Sequence, residues 1–171
     1  MSEPADLSQR PEGFRRVAQS LAASRHPHAP LWLDVAARTA QEAADALGVS
    51  LGQIAKSVVF RRQSDGRAVL VITSGDRRVD EKKLLPHTGT LGRADADFVK
   101  AATGFSIGGV SPVGHAAADG QAPLLFIDAE LFRFDLIWAA AGHPNGVFRL
   151  SPAELLALTS APVVDVVQGA R

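Results

Sequence analysis

The chain of 171 residues contains no cysteine. This absence excludes disulfide bonds, thiolate nucleophiles and zinc sites built from thiolates. Long apolar runs are also absent, because no stretch approaches the ~18 consecutive apolar residues that cross a bilayer. The N-terminal segment MSEPADLSQRPEGFRR lacks the apolar core of a secretion signal. We therefore expect a cytoplasmic protein that makes no contact with a membrane.

An excess of charge of either sign is missing too, since 18 Lys and Arg residues balance 18 Asp and Glu residues. A neutral chain is not expected to coat nucleic acid nonspecifically, and no helix-turn-helix pattern or strongly basic helix points to DNA. The balance is uneven along the chain, because residues 56–100 hold ten basic and six acidic side chains. This segment is either an ordinary solvated face or a local phosphate-binding edge.

Periodicity and end signals predict alternating helices and strands. The Thr39-x-x-Glu42 capping box and the Asp65-Gly66 hairpin signal are the clearest local markers. We expect helices over residues 11–24, 39–48, 80–85, 94–102 and 151–158, with Pro86 ending the third. We expect strands over residues 31–35, 55–62, 68–73, 123–128, 136–140, 147–150 and 162–167.

This order predicts an α+β fold with a mixed, largely antiparallel sheet. Residues 1–10 are polar, and we expect them to be disordered. Residues 11–171 show no internal repeat and no linker, which is typical of a single domain.

Glycine and proline are most concentrated at residues 103–115, TGFSIGGVSPVGH, which contain four glycines and Pro112. Glycine permits positive φ and close approach of another backbone, whereas proline fixes φ and removes an N–H. Such a loop can present backbone amides to a small ligand. The alternative is a tight connection between two elements, and composition alone leaves both open.

Three other side chains are candidates for chemistry. Lys56 lies in the otherwise apolar strand IAKSVVF, where it is either an ammonium in a cleft or an edge lysine that reaches water. His143 in AGHPNG and His115 after the loop can act as acid, base or hydrogen-bond donor, or be merely exposed. His26-Pro27-His28 is poorly disposed for chelation, so we expect no metal site. Neither a G-x-S-x-G elbow nor a phosphate loop is present.

Four segments in the right order carry a resemblance to a known family. They are TAQEAADALGVSLGQIAKSVVF, TSGDRRVDEKKL, the TGFSIGGVSPVGH loop and AGHPNGVFRLSPAELLAL. Together they resemble the YbaK/ProX-type aminoacyl-tRNA deacylases, which are related to the editing insertion domain of bacterial prolyl-tRNA synthetases. The likeness runs from Phe14 to Val166. The family's lysine matches Lys56 and a histidine of some subgroups matches His143. Its Gly-x-x-x-Pro loop matches Gly108, Gly109, Val110, Ser111 and Pro112.

The resemblance implies a barrel-like sheet flanked by helices and the hydrolysis, in trans, of the ester between a wrong, small amino acid and a tRNA. A positioned water attacks the ester in this family, with no protein nucleophile, metal or cofactor. Lys56 and His143 would be catalytic, with Lys56 at the terminal adenosine phosphate or the ester. The loop residues named above and His115 would contact the aminoacyl group, so that Gly109→Val should fill the pocket.

The resemblance also implies the partners. The substrate would be the acceptor end of an aminoacyl-tRNA, tRNA-Pro or a related one, with a synthetase or an elongation factor as further protein partners. The alanine-specific pattern FHPLxN is only partly matched, because Asn145 directly follows Pro144. The amino acid therefore stays unassigned. The alternative function is a catalytically silent module that binds the acceptor end or a nucleotide.

Overall fold

The structure is a computed structural model that describes residues 7–169. The expected disordered segment falls partly outside this range, and Leu7–Gln9 form a short 3-10 helix. The helices are α1 (Glu12–Ala23), α2 (Ala40–Leu47), α3 (Glu81–Thr88), α4 (Ala96–Thr103) and α5 (Pro152–Thr159). The strands are β1 (Leu31–Trp32), β2 (Ile54–Arg62), β3 (Ala68–Ser74), β4 (Leu91–Arg93), β5 (Leu124–Asp128), β6 (Ile137–Ala140), β7 (Gly146–Leu150) and β8 (Val163–Val164).

All eight strands form one mixed sheet in the order β1-β7-β6-β2-β3-β5-β8, with β4 paired to β2. The pairs β1–β7, β2–β3, β2–β4 and β6–β7 are antiparallel, and the pairs β2–β6, β3–β5 and β5–β8 are parallel. The predicted α+β class with a mixed, mainly antiparallel sheet is thus confirmed.

The core covers both faces of β3, as its continuous apolar run AVLVIT predicts. On one face, Leu70 and Ile72 belong to the largest apolar cluster, which α1 and the glycine-rich loop complete. On the other face, Val69 and Val71 pack with residues of α3 and β5. A smaller cluster joins α2 to Ile54 at the start of β2. None of the helices in residues 7–169 has the length and apolarity needed to cross a bilayer.

One edge of β2 is divided between two partners. The other edge pairs continuously with β3, from Ala55 to Arg61. On the divided edge, β6 pairs only with Ile54 and Ala55, and β4 pairs only with residues 60–62. The described strands therefore leave residues 56–59 without a neighbour on that side. We call this unpaired stretch the β2 gap.

Several details differ from the sequence-based expectations, and the strand expected over residues 31–35 shortens to Leu31–Trp32. The prediction that Pro86 ends α3 is wrong, because the helix continues to Thr88. Proline removes a single intrahelical hydrogen bond there, while the Gly89 N–H and the Thr88 hydroxyl still bond to Leu85 and Leu84 carbonyls. Strand β4 and a 3-10 helix over Ala129–Arg133 were not anticipated. The last predicted strand shrinks to β8, which is two residues long.

Candidate functional site

A cavity of about 360 Å³ opens along the β2 gap. Six consecutive residues of β2, Ile54 to Val59, line it. Successive side chains of a strand point to opposite faces, so a wall of consecutive residues means that the cavity runs along the strand edge. The start of α2, strand β6 and the loop residues Ile107, Gly108 and Val110 supply further walls.

The two faces of β2 give the cavity two chemically different sides. On the Ser57 side, Ala55, Val59 and Ala139 line it with residues of the largest core cluster, so this compartment has short aliphatic walls. On the Lys56 side, Ile54, Val58 and Trp138 line the cavity. One side therefore suits a small apolar group, and the other brings a cation.

The Lys56 ammonium is half-buried and has no hydrogen-bond or ion-pair partner among residues 7–169. Burial lowers the pKa of Lys56, the nearby Arg78 lowers it further, and Asp76 opposes both effects. A cation that is partly desolvated and unpaired is destabilising unless an anion or a carbonyl binds to it. Its position makes it available to an anionic group at the cavity.

Three buried polar atoms around Lys56 lack a hydrogen-bond partner in the described structure: Ser57 Oγ, Thr73 Oγ1 and Trp138 Nε1. Ser57 and Trp138 line the cavity, and Thr73 is the cross-strand partner of Lys56. Each unsatisfied group costs about 1–3 kcal/mol. Their concentration here indicates a site that a polar ligand completes.

The glycine-rich loop reaches the cavity with only part of its length. Gly108, at φ 94°, and Val110 line the cavity, whereas Gly109 faces away from it. A Cβ atom on Gly109 would lie 2.7 Å from the backbone N and Cα of His143. Gly109 is therefore required for contact between the loop and the His143 turn, and added bulk there would not enter the cavity directly.

Ser111, Pro112 and His115, in the second half of the loop, do not line the cavity. The His115 Nε2–H donates to the Ser111 carbonyl at 2.7 Å, and the Ser111 hydroxyl accepts from the Val113 N–H at 3.1 Å. Burial lowers the pKa of His115, although the bond to the Ser111 carbonyl opposes this shift. These residues hold the loop in its shape.

Arg16 of α1 fixes both ends of this loop, a contact that the sequence did not reveal. Its Nε donates to the Gly114 carbonyl at 3.1 Å and its Nη2 to the Gly104 carbonyl at 3.0 Å. The guanidinium also lies 4.7 Å from the centre of the Phe105 ring. Because one planar guanidinium bonds to both ends, Arg16 holds the loop against α1.

His143 does not line the cavity, and its backbone packs against Gly109 of the loop. Its ring stacks on Trp32 with centroids 4.9 Å apart, and its Nδ1 accepts from the Asn145 N–H at 3.1 Å. Burial, reinforced by Arg38, lowers the pKa of His143. The Asn145 side chain in turn donates to the Leu33 carbonyl at 2.8 Å, which fixes the turn to the end of β1.

Most of the basic residues in the 56–100 segment bond within the protein. Those with a described partner are Arg61, Arg62, Arg67, Arg77, Lys83 and Lys100. Those without one in residues 7–169 are Lys56, Arg78, Lys82 and Arg93. In the described structure Arg62, Arg77 and Lys83 pair with carboxylates. Of the four side chains without a described partner, Lys56 alone lines the cavity, so the phosphate-binding interpretation narrows to Lys56.

Sequence reasoning missed Ser57, Trp138 and Arg16. The polar pair Lys56-Ser57 in an apolar strand was the available signal, since adjacent residues place polar groups on both faces. The β2 gap that makes both faces relevant depends on strands distant in sequence, so no local pattern reveals it.

We predict that Gly109→Ala destabilises the protein by about 1–3 kcal/mol, because the new Cβ meets rigid backbone of His143. Urea unfolding measures the change. Gly169→Ala is the control, since a Cβ at Gly169 has no neighbour within 4 Å. Equal stability of the two variants would show that the loop does not need close contact with the His143 turn.

We predict that His115 makes stability depend on pH. Its pKa in the fold lies below the ordinary 6.5, so the unfolded chain binds more protons between those two values. The contribution is complete above pH 6.5 and is lost as the pH falls toward the folded pKa. His115→Gln keeps a donor for the Ser111 carbonyl but does not titrate. Urea unfolding at pH 7.5 and 5.5 should show a smaller decrease for this variant than for the parent protein, and equal decreases would contradict the prediction.

The sequence of the chain matches a known protein family. The sequence profile of the aminoacyl-tRNA editing domain matches residues 34–158. The uncharacterised protein YwhH of Bacillus subtilis is 35% identical over 135 residues, which are 78% of this chain and 83% of YwhH. EbsC of Enterococcus faecalis, named as a candidate Cys-tRNA(Pro)/Cys-tRNA(Cys) deacylase, is 28% identical over 130 residues, 75% of this chain and 76% of EbsC.

A solved structure has the same fold as this chain. A candidate trans-editing enzyme for prolyl-tRNA synthetase superposes with a TM-score of 0.83 at 39% identity, covering 93% of this chain and 99% of that chain. The profile match alone spans well over half of the sequence. The chain therefore belongs to the aminoacyl-tRNA editing domain family, the YbaK/ProX group that its motifs resemble.

Proposed function

We propose that this protein is a trans-editing deacylase that hydrolyses the ester between a small amino acid and the 3′ end of a tRNA. The observation that carries the proposal is one cavity with two sides, an unpaired Lys56 ammonium on one and a small aliphatic compartment on the other. The 3′ end of an aminoacyl-tRNA presents the matching pair, a phosphate and an aminoacyl group joined by a ribose.

The residues around the cavity support attack by water. Among the described lining residues there is no histidine and no carboxylate, and Lys56 lies on the opposite face of β2 from Ser57, so we propose that the Ser57 hydroxyl is not a nucleophile. In the proposed reaction a water oxygen bonds to the ester carbonyl carbon and the bond to the ribose oxygen breaks. One proton of the attacking water passes to the ribose oxygen, and the amino acid leaves as the free acid. The protein contributes position and electrostatic stabilisation.

The sequence-predicted residues divide into two roles in this proposal. Lys56, Gly108 and Val110 contact the substrate, because they line the cavity. The predicted binding residues Gly109, Ser111, Pro112 and His115 hold the loop. His143 supports Gly109 and keeps its Nδ1 bonded to Asn145, so we propose a positioning role for it.

The volume of the cavity limits what it recognises. About 360 Å³ is near the lower end of the range for small-molecule sites, enough for an aminoacyl group and adjoining ribose but not for a stem. We propose that binding is restricted to the acceptor end of tRNA-Pro or a related tRNA. EbsC, whose name refers to tRNA-Pro, supports this choice. The synthetase or elongation-factor partner stays a prediction.

The second candidate is a silent module that binds the acceptor end without hydrolysis. The observation that favours it is that the described lining residues include no histidine and no carboxylate. A non-hydrolysable aminoacyl adenosine distinguishes the two functions. Tight binding together with no release of amino acid from any aminoacyl-tRNA would identify the module.

We predict that purified protein releases amino acid from at least one member of a panel of Ala-, Ser-, Cys- and Pro-charged tRNA-Pro faster than buffer does. Lys56→Ala should lower kcat/KM by about 10- to 100-fold, as loss of a charged hydrogen bond of about 1.5–3 kcal/mol implies. Its stability should not decrease, since the variant removes an unpaired, half-buried cation.

Lys82→Ala is the matched control, because Lys82 is an exposed lysine that does not line the cavity. It should retain the parent kcat/KM. If Lys56→Ala retains full activity, Lys56 is not part of the site. If the parent protein hydrolyses no member of the panel, the deacylase proposal is wrong.

A further inference from the structure

The main chain of Ser57 points into the β2 gap. Two hydrogen bonds show which residues of β2 face β3. The Ile54 carbonyl accepts from the Gly75 N–H, and the Arg62 N–H donates to the Arg67 carbonyl. In a strand, successive residues direct their main-chain groups to alternate edges. Even-numbered residues of β2 therefore face β3, and odd-numbered residues face the divided edge. The Gln63 N–H, which bonds to the Thr90 carbonyl beside β4, follows the same alternation.

Ser57 thus combines three polar groups without a partner in the described structure. Its N–H and C=O lie between the two partners of the divided edge. Pairing with β6 ends at Ala55, and pairing with β4 begins at Phe60. Its side-chain oxygen is also buried and unsatisfied. A free N–H next to a free C=O on one strand edge is half of an antiparallel hydrogen-bonded pair, which one residue of another chain normally completes.

An α-aminoacyl group carries the other half of such a pair. We propose that the aminoacyl group of the substrate binds in the β2 gap as a strand of one residue. Its carbonyl oxygen accepts from the Ser57 N–H, and its α-ammonium donates to the Ser57 C=O. This inference rests on the proposed function and specifies how that site holds its substrate.

The pairing fixes where the substrate side chain goes. Paired residues place their side chains on the same face, about 4.5–5.5 Å apart. The side chain of an L-aminoacyl group therefore enters the compartment bounded by Ala55, Val59 and Ala139, next to the Ser57 hydroxyl. In a D-aminoacyl group the side chain would instead point toward Lys56 and Val58, or one of the two hydrogen bonds to Ser57 would break. The site should therefore select L over D aminoacyl groups.

The pairing also assigns a role to a backbone amide in the reaction. Negative charge develops on the carbonyl oxygen when water attacks, and a fixed N–H donor at that oxygen stabilises it. The Ser57 N–H is such a donor and requires no rearrangement. Lys56, on the opposite face of β2, remains free for the phosphate.

The first test observes the Ser57 amide directly by NMR. The ligand is 3′-(L-alanyl)amino-3′-deoxyadenosine, whose amide bond resists hydrolysis. At saturation the Ser57 amide proton should move downfield and exchange more slowly with water. The propionyl analogue lacks the α-amine, and the D-alanyl analogue has the opposite configuration. Both should bind at least about 10-fold more weakly. A saturating L-alanyl ligand that leaves the Ser57 amide unchanged overturns the inference.

The second test compares L-alanyl-tRNA with D-alanyl-tRNA, each rate corrected for hydrolysis in buffer. We expect a preference for the L form of about 100-fold or more, as for a site built to hydrogen-bond its substrate. Lys82→Ala, the exposed-lysine control, should keep this ratio. Equal hydrolysis of both forms overturns the inference and leaves the deacylase function standing. No hydrolysis of any aminoacyl-tRNA overturns the function itself.

Discussion

The site depends on the divided edge of β2. One strand that pairs continuously with β3 shares its other edge between β6 and β4, and neither partner reaches residues 56–59. A complete ladder at this position would satisfy the main chain and close the cavity. Because the ladder is interrupted, both faces of one strand contribute side chains to the same cavity. Lys56 and Ser57, adjacent in sequence, can therefore contact different parts of one ligand.

The rest of the fold keeps this gap open. The glycine-rich loop forms one wall, and its position depends on contacts far from the ligand: Arg16 bonds to both ends of the loop, His115 bonds to Ser111, and Gly109 packs on the backbone of His143. These contacts are partly buried. The two histidines thus contribute to the shape of the cavity without lining it, and their lowered pKa values follow from that burial.

The sequence predicted the elements and the family better than the arrangement of the site. The Thr39 capping box, the hairpin after Arg62 and the strand AVLVIT all depend on local patterns, and all three formed as expected. Lys56 stood out because a charge in an apolar strand is locally unusual. The orientation of Gly109 and the orphan groups of Ser57 and Trp138 depend on contacts between residues distant in sequence. No periodicity encodes those contacts.

A site of this kind discriminates by exclusion more than by attraction. Short side chains bound the Ser57 compartment, so each extra methylene of a larger aminoacyl group costs about 1–3 kcal/mol in fit. Ser57 Oγ and Trp138 Nε1 have no partner in the described structure and line the cavity, so both are available to hydrogen-bond a substrate there. In the proposed function, the selection of small aminoacyl groups and their pairing with the strand edge would both follow from one interrupted ladder. Filling the gap with a longer β4 or β6 would stabilise the sheet and remove the site.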